Sequence, residues 1–480
     1  LRQLRPYQVE GEQACRRAFR KGRKRLIYSA ATGSGKTTVA SSIIEKASAK
    51  AGAHILFLAH RKELISQCSK RLTEEGIPHG IIKAGIKPDH DQIVQVASKD
   101  TIVRRLKKYP ENYFTVIIVD ECHRTLGKTY LKILDYNDNA YVVGLTATPW
   151  RLDGKGLGDF YEEIIETCTM QDLIDWGYLV EPRIFTSFRI PNIKIASRGG
   201  DYKPEEMEKV YDKPTLIGDI FTHWNKHCSD RKTIIFATSI NHSKHIAKIF
   251  QEHGINAAHI DGTTPEHERE SILNNFEKGL IQVIVNVGIL TEGYDCPLCS
   301  CIILARPTKS TNLYLQMAGR VLRPAEGKVD AIILDHSGCV SQHGFPQDER
   351  EYSLKGRVKN KKDPSKSFTT CKNCGAMYRK SVCPECGTKA SIQDRIIAQV
   401  GGELKELSHS RKKAEEKKAY IWLIEQGKKN RKPPQWADKQ FYDTFGHWPR
   451  FNNVGIKKEW NTQFVNGRVV ATLINSRYTK

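Results

Sequence analysis

Ala30-Ala31-Thr32-Gly33-Ser34-Gly35-Lys36-Thr37 is the stretch from which the rest of the chain is read. It follows a short apolar run, Leu26-Ile27-Tyr28, that reads as a buried strand. It precedes Thr38-Val39-Ala40 and Ile43-Ile44, whose spacing is helical. Strand, glycine-rich turn and helix in that order form the setting of a phosphate-binding loop. Glycines let the backbone curl until successive N–H groups face an anion, and the helix N-terminus adds partial positive charge. In that setting Thr32, Gly33, Ser34 and Gly35 cradle phosphates, Lys36 reaches the β- and γ-phosphates of a nucleotide, and the Thr37 hydroxyl binds Mg²⁺. Ala30 stands where the pattern G-x-x-x-x-G-K-[ST] has its first glycine.

Upstream, Leu4-Arg5-Pro6-Tyr7-Gln8 leads into a helix-like stretch from Val9 to Lys21. The Gln8 amide can donate and accept, which suits an adenine edge, and Arg5 can stack on the base. Downstream, strands and helices alternate. His54 to Ala59 reads as a strand, His60 to Leu72 as a helix opening with Arg61, and Ile93 to Ala97 as a strand followed by Ser98 and Thr101. Val116-Ile117-Ile118-Val119 then runs into Asp120-Glu121-Cys122-His123. A β-branched run ending in acidic residues marks a buried parallel strand with chemistry at its C-terminal edge. Asp120 suits Mg²⁺ and Glu121 suits a general base polarising water. Tyr141 to Leu145 is a further strand, ending in Thr146-Ala147-Thr148.

A chain of 480 residues with 39% hydrophobic residues has room for two or three domains with real cores. It holds no run of 18 apolar residues and opens without a secretory pattern, which points away from the membrane and toward the cytoplasm of a bacterium or a phage-infected host. The first residue is Leu1 rather than Met, as in a trimmed chain. The thirteen cysteines accordingly read as thiols and metal ligands rather than disulfides. The net charge of +22 suggests a polyanionic partner, and residues 351–480 carry 28 Lys+Arg against 12 Asp+Glu, or +16 of it.

In order and content these motifs resemble the superfamily 2 helicases and translocases, with a box of the form Asp-Glu-Cys-His. The resemblance rests on Leu4 to Gln8, Ala31 to Thr37, Asp120 to His123 and Thr146 to Thr148. It continues through Thr233 to Ala237, His259 to Gly262, Val283 to Asp295 and Gln316-Met317-Ala318-Gly319-Arg320-Val321-Leu322-Arg323. Asn286 stands where many members have Thr. The resemblance covers about the first 340 residues. It implies two tandem RecA-like parallel-sheet motor domains closing on one ATP. Arg5, Gln8, Gly293 and Asp295 would then join the phosphate loop in binding ATP. Gln316 would orient water or γ-phosphate, and Arg320 and Arg323 would act as arginine fingers. It also implies nucleic-acid contacts from Arg61, Ser98, Thr101 and Thr291. More narrowly, the chain resembles RadD-type bacterial repair helicases and related phage recombination helicases. That points to repair, recombination or replication on branched or duplex DNA, by a monomer. An RNA helicase and an ATP-switched annealing protein are the alternatives.

Cys371-Lys372-Asn373-Cys374-Gly375 and Cys383-Pro384-Glu385-Cys386-Gly387 are two knuckles whose four thiolates can wrap one tetrahedral Zn²⁺. So small a segment has little core, and metal binding would supply its folding energy. Cys296, Cys299 and Cys301 read instead as small packed residues. Beyond the knuckles, Ser391 to Leu407 and Arg411 to Gln426 read as helices. Their aromatics, with Trp436, Phe445 and Trp448, either stack on bases or form a small core. The expected organisation is motor domain 1 over 1–178, motor domain 2 over 179–345, a linker over 346–366, a zinc ribbon over 367–390 and a basic helical nucleic-acid-binding module over 391–480.

Overall fold

The β-branched apolar runs of the first 340 residues form two seven-stranded sheets, parallel at every strand pair whose register is defined. They are seen in a computed structural model. It describes residues 3–151, 154–186, 196–198, 200–291 and 293–356. Beyond these it describes 369–370, 377–378, 405–407, 420–421, 423–424, 436–437, 440, 456–465 and 468–478. The chain divides into two compact units, Leu1–Asn360 with Gln393–Glu406, and Lys361–Ile392 with Leu407–Lys480.

In the first motor domain, α1 (Pro6–Arg20) precedes β1 (Arg25–Ser29) and α2 (Lys36–Ser48). There follow β2 (Ile55–Ala59), α3 (Lys62–Glu74), β3 (Gly80–Ile82), β4 (Val94–Ser98) and α4 (Lys99–Ile102). Then come β5 (Val116–Asp120), α5 (Lys128–Asp135), β6 (Tyr141–Thr146), β7 (Glu163–Glu166) and α6 (Met170–Asp175). The strand order is β3-β4-β2-β5-β6-β1-β7. Both faces are covered, as parallel sheets require. Period-two alternation sends Leu26 and Tyr28 of β1 into one core, with Val39 and Ile44 of α2 and Ile65 of α3. Ile27 goes into the other, with Val119, Tyr130 and Ile133. Because all strands run the same way, the ends of β1, β5 and β6 share one edge. Ser29 pairs with Thr146 and Asp120 with Leu145.

The second motor domain opens with β8 (Glu181–Thr186), a hairpin of β9 (Ser197–Arg198) and β10 (Asp201–Tyr202), α7 (Pro204–Tyr211) and α8 (Pro214–Cys228). Next are β11 (Thr233–Phe236), α9 (Ile240–Glu252), β12 (Ala257–Ile260), α10 (Glu266–Lys278) and β13 (Val283–Asn286). It closes with β14 (Cys301–Leu304), α11 (Thr311–Gly319), β15 (Asp330–Asp335) and α12 (Cys339–His343). Its order is β12-β13-β11-β14-β15-β8, with Lys405–Leu407 beyond β8. Trp224 is its largest fully buried side chain and donates to Thr233 Oγ1 at 2.8 Å. Cys296, Cys299 and Cys301 are all buried, as small packed residues should be.

Three stretches differ from expectation. The polar stretch 190–212 contains the β9–β10 hairpin and α7, because Asp201 ties the hairpin to Thr308 Oγ1 and the Lys309 N–H. The expected linker 346–366 is ordered over its first part. Gly158 N–H donates to Leu354 O at 2.9 Å, Tyr352 Oη donates to Ala147 O at 3.2 Å, and Arg350 donates to four backbone carbonyls. Charge alone suggested a linker, but this segment straps back over motor domain 1.

The C-terminal module is helical only in part. Tyr420, Ile424 and Ala437 form a small buried cluster with Trp436 against it, so those aromatics pack inward. Lys405–Leu407 is strand, and Ile456–Val465 pairs antiparallel with Arg468–Tyr478 where helix was expected. The pair is rich in Val, Thr and Ile, and Asn466-Gly467 between them is a strong two-residue hairpin sequence.

Candidate ATP site

At the end of β1 the chain turns through Gly33 (φ 87°) and Gly35 (φ 78°), both left-handed, and enters α2 at Lys36. Gly35 is the tightest point: a Cβ there would lie 2.5 Å from Gln8 Nε2. Lys36 Nζ donates to the carbonyls of Ala30 (3.1 Å) and Ala31 (3.3 Å) within its own loop. Burial pushes its ammonium below the usual lysine range, and the nearby Glu121 and Asp120 carboxylates partly offset this. Thr37 opens the helix beside it. The loop therefore meets the needs of a triphosphate: left-handed glycines, a helix N-terminus and one desolvated cation. Asp120 and Thr37 are the oxygen donors at that edge suited to Mg²⁺.

Gln8 and Arg5 are engaged with protein. Gln8 Oε1 accepts from the Arg5 N–H at 2.9 Å, and Nε2 donates to Ser34 O at 2.8 Å, which leaves one amide hydrogen for a base. Tyr7 Oη also donates to Ser34 O, at 2.6 Å. The Arg5 guanidinium lies 4.1 Å over the Tyr178 ring, and Tyr7 stacks on the half-exposed Trp176. The sequence offered no pattern linking 176–178 to Arg5.

Glu121 has φ 50° and ψ 54°, a left-handed conformation uncommon outside glycine and held only where the surroundings enforce it. Its N–H donates to Asp120 Oδ1 at 3.0 Å. Thr146 and Thr148, fully buried, are bonded to each other at the next strand end.

The second motor domain reaches this edge with one face of α11. Gln316 Nε2 donates to Glu121 Oε1 at 3.0 Å. Gly319 lies so close to Thr32 that a Cβ would overlap its methyl group. Arg320 is nine-tenths buried and donates to Tyr294 O, and Arg323 pairs with Asp295. Gly293 accepts from Gln67 and sits against Glu63 and Leu64 of α3. A cavity of about 230 Å³ opens beside the loop, lined by Ala30, Thr32, Ala147, Cys168, Leu315 and Tyr352 among others. Burial raises the Cys168 thiol.

The expected nucleic-acid residues divide. Arg61 donates to Gly288 O at 3.0 Å and Thr291, fully buried, donates to the same carbonyl at 3.0 Å. The turn after β13 thus draws both into the seam between the motor domains. Neither is presented to a passing strand as expected. Ser98 and Thr101 stand at the N-cap and in the single turn of α4, half-buried. Cys371, Cys374, Cys383 and Cys386 lie outside the described residues. Among the described residues no group of three or more His, Cys, Asp or Glu is placed to hold a metal. No described helix is long and apolar enough to cross a membrane.

Comparisons with known proteins agree with this geometry. Residues 1–151 match the family described as type III restriction enzyme, res subunit, and residues 212–325 match the helicase conserved C-terminal domain. A 51.5 kDa protein of a Lactococcus phage is 34% identical over 368 residues, 76% of this chain and 78% of its own. A Schizosaccharomyces pombe protein carrying the name mitochondrial ATP-dependent helicase irc3 is 36% identical over 69% of this chain, spanning 57% of that protein. Among solved structures, a fragment of a type I restriction enzyme HsdR subunit from Vibrio vulnificus shares the fold. Its TM-score is 0.57 at 24% identity, covering 73% of this chain and 69% of that one. The chain belongs to the superfamily 2 helicases, and it is an ATP-hydrolysing enzyme.

Proposed function

We propose that this protein is an ATP-driven helicase or translocase on DNA, working on branched or duplex substrates in repair, recombination or replication. The observation that carries the reading is the contact of Gln316 with Glu121 across the cleft. The hydrolytic residues meet only when the two sheets close, so hydrolysis can drive domain motion. In this reading the loop from Thr32 to Thr37 holds the phosphates, with Lys36 on the β/γ pair. Glu121 polarises the attacking water, Gln316 orients it, and Arg320 and Arg323 stabilise the charge that develops on the transferred phosphoryl group. Asp120 and Thr37 would hold Mg²⁺, which supplies charge neutralisation between the phosphates. Gln8 and Arg5 address the adenine side; Gly293 and Asp295 address the ribose side. Ser98 and Thr101 remain the residues best placed to meet nucleic acid.

DNA is favoured by two observations. Relatives include the EcoAI type I restriction endonuclease subunit, 25% identical over 68% of this chain, and residues 351–480 carry +16. Glu121→Gln should retain ATP binding and lose turnover by about 10²–10⁴-fold. The assay is phosphate release with matched single-stranded, duplex and branched DNA and with RNA. Stimulation by RNA alone would sink the DNA assignment, and wild-type turnover by the variant would sink the assignment of the base.

We also propose that Cys371, Cys374, Cys383 and Cys386 hold one Zn²⁺. Thr369–Thr370 and Met377–Tyr378 pair antiparallel on either side of the first knuckle, which closes the turn such a site needs. Elemental analysis should find one zinc per chain, lost on replacing Cys371 and Cys374 by Ser. Zinc-free protein purified without chelator would remove the ribbon.

A further inference from the structure

The face that α11 turns to motor domain 1 is a stripe at i, i+4 and i+7: Asn312, Gln316 and Gly319. Gln316 meets Glu121 and Gly319 meets Thr32. Asn312 meets the last residue of the acidic box. Its Nδ2 lies 3.0 Å from His123 Nε2 and 3.2 Å from Nδ1, and both residues are only 3% exposed. On its other side the His123 ring places Nδ1 at 3.3 Å from Glu121 Oε2. The helix does not need Asn312 for its own start. Ser310 is the N-cap and accepts from Leu313 N–H, and Thr311 Oγ1 is bonded to His343 Nδ1. Nor is Asn312 Oδ1 hydrogen-bonded to any other described residue.

Donor and acceptor chemistry fixes how these three groups can be arranged. An ionised carboxylate only accepts, so the His123 nitrogen facing Glu121 must carry the hydrogen. In a neutral imidazole the other nitrogen is then a lone pair, and it needs a donor. The Asn312 amide is that donor. An unmatched Nε2 in a site this buried would otherwise leave the two tautomers in competition, and the Nε2–H form aims a lone pair at the Glu121 carboxylate.

We propose that Asn312 is a positioning residue for ATP hydrolysis: by donating to His123 Nε2 it holds the Nδ1–H tautomer, and His123 in turn holds the Glu121 carboxylate in its left-handed pose. Because Asn312 belongs to motor domain 2 and His123 to motor domain 1, the tautomer is set only when the cleft is closed. Glu121 is then braced at both oxygens by closure, Oε1 directly through Gln316 and Oε2 indirectly through Asn312 and His123. Hydrogen bonds of this kind tighten when substrate is bound. The inference rests on the proposed role of Glu121 as base.

The test compares full-length wild type, Asn312→Ala, His123→Ala and the double variant in steady-state ATPase assays with saturating duplex DNA. Asn312→Ala should lower kcat on the order of tenfold to 10²-fold, the loss expected of a small misplacement of a reacting group. KM for ATP should stay within about twofold, because uniform binding is untouched. The double variant should be no slower than His123→Ala alone, since Asn312 acts through that ring. Losses that multiply would mean that Asn312 merely supports the helix, and would overturn the proposal. The second readout does not depend on turnover. Imidazole ¹⁵N shifts of His123, with Mg²⁺ and a non-hydrolysable ATP analogue, should show Nδ1 protonated and Nε2 bare in wild type, and a tautomer mixture in Asn312→Ala. An Nε2–H tautomer in wild type would also overturn it. If Glu121→Gln retains wild-type turnover while the tautomer behaves as expected, the base assignment has failed and the tautomer lock has not.

Discussion

Lys36 and Arg320 are cations on opposite walls of one cleft, and they are held by different means. Lys36 is bonded to carbonyls five and six residues away, inside a loop whose shape comes from two left-handed glycines. Arg320 is bonded to Tyr294 O, 26 residues away, in the turn that follows β13. That turn is itself shaped by Asn286, which donates to Ile235 O at 2.9 Å and accepts from Leu290 N–H at 3.2 Å. The first wall is thus a local object that would keep its shape in an isolated domain. The second is assembled from three strand ends and then pressed against the first through α11. One wall is suited to binding and the other to sensing whether the cleft is closed.

The strongest way to break this comparison is Lys36→Ala. If the local wall is the anchor, both ATP binding and turnover should fall below detection, because the β/γ-phosphates lose their cation. Retained binding of a fluorescent ATP analogue would show that the anchor lies elsewhere. Arg320→Ala comes next. Turnover should fall on the order of 10³-fold with little change in ATP affinity, as expected of a group that acts on transition-state charge. Equal losses in both would place Arg320 in ground-state binding, and the two walls would then do the same work. The smallest effect sharpens the picture at the strap. Tyr352→Phe removes the bond to Ala147 O beside the Thr146–Thr148 turn, and leaves the ring contact with Trp150 at 5.0 Å. It should lower unfolding stability by about 1 kcal/mol. The urea midpoint reads this, and ATP affinity should be unmoved. No change in the midpoint would mean the strap rests on Leu354 and the Gly156–Gly158 backbone alone.

Burial at the first wall also has a pH consequence for chemical modification. The Cys168 thiol beside the loop and the Cys122 thiol inside the box are both pushed up by desolvation. Neither is the reactive thiolate that a cysteine next to a phosphate loop might suggest from sequence.

What the sequence determined by itself was whatever is set by neighbours along the chain. The phosphate loop, the strand ending in Asp120-Glu121 and the Gln316 to Arg323 run were legible because strand periodicity, glycine turns and helix starts are local. Parallel strands then carry those ends to a common edge. The hairpin at Ile456–Val465 and Arg468–Tyr478 was equally local, yet basic composition was read in place of the Asn466-Gly467 signal. Only the tertiary structure decided which partner each of these groups takes. It set Arg5 over Tyr178, Arg61 on Gly288, Tyr352 on Ala147 and Asn312 on His123. Each of these joins residues far apart in sequence through one directional bond or ring contact, and it leaves no periodicity behind. The physical reason is that a strand or a turn is written in the spacing of its own residues. A hydrogen bond across a cleft is written in the packing of two sheets, whose relative placement no single segment encodes.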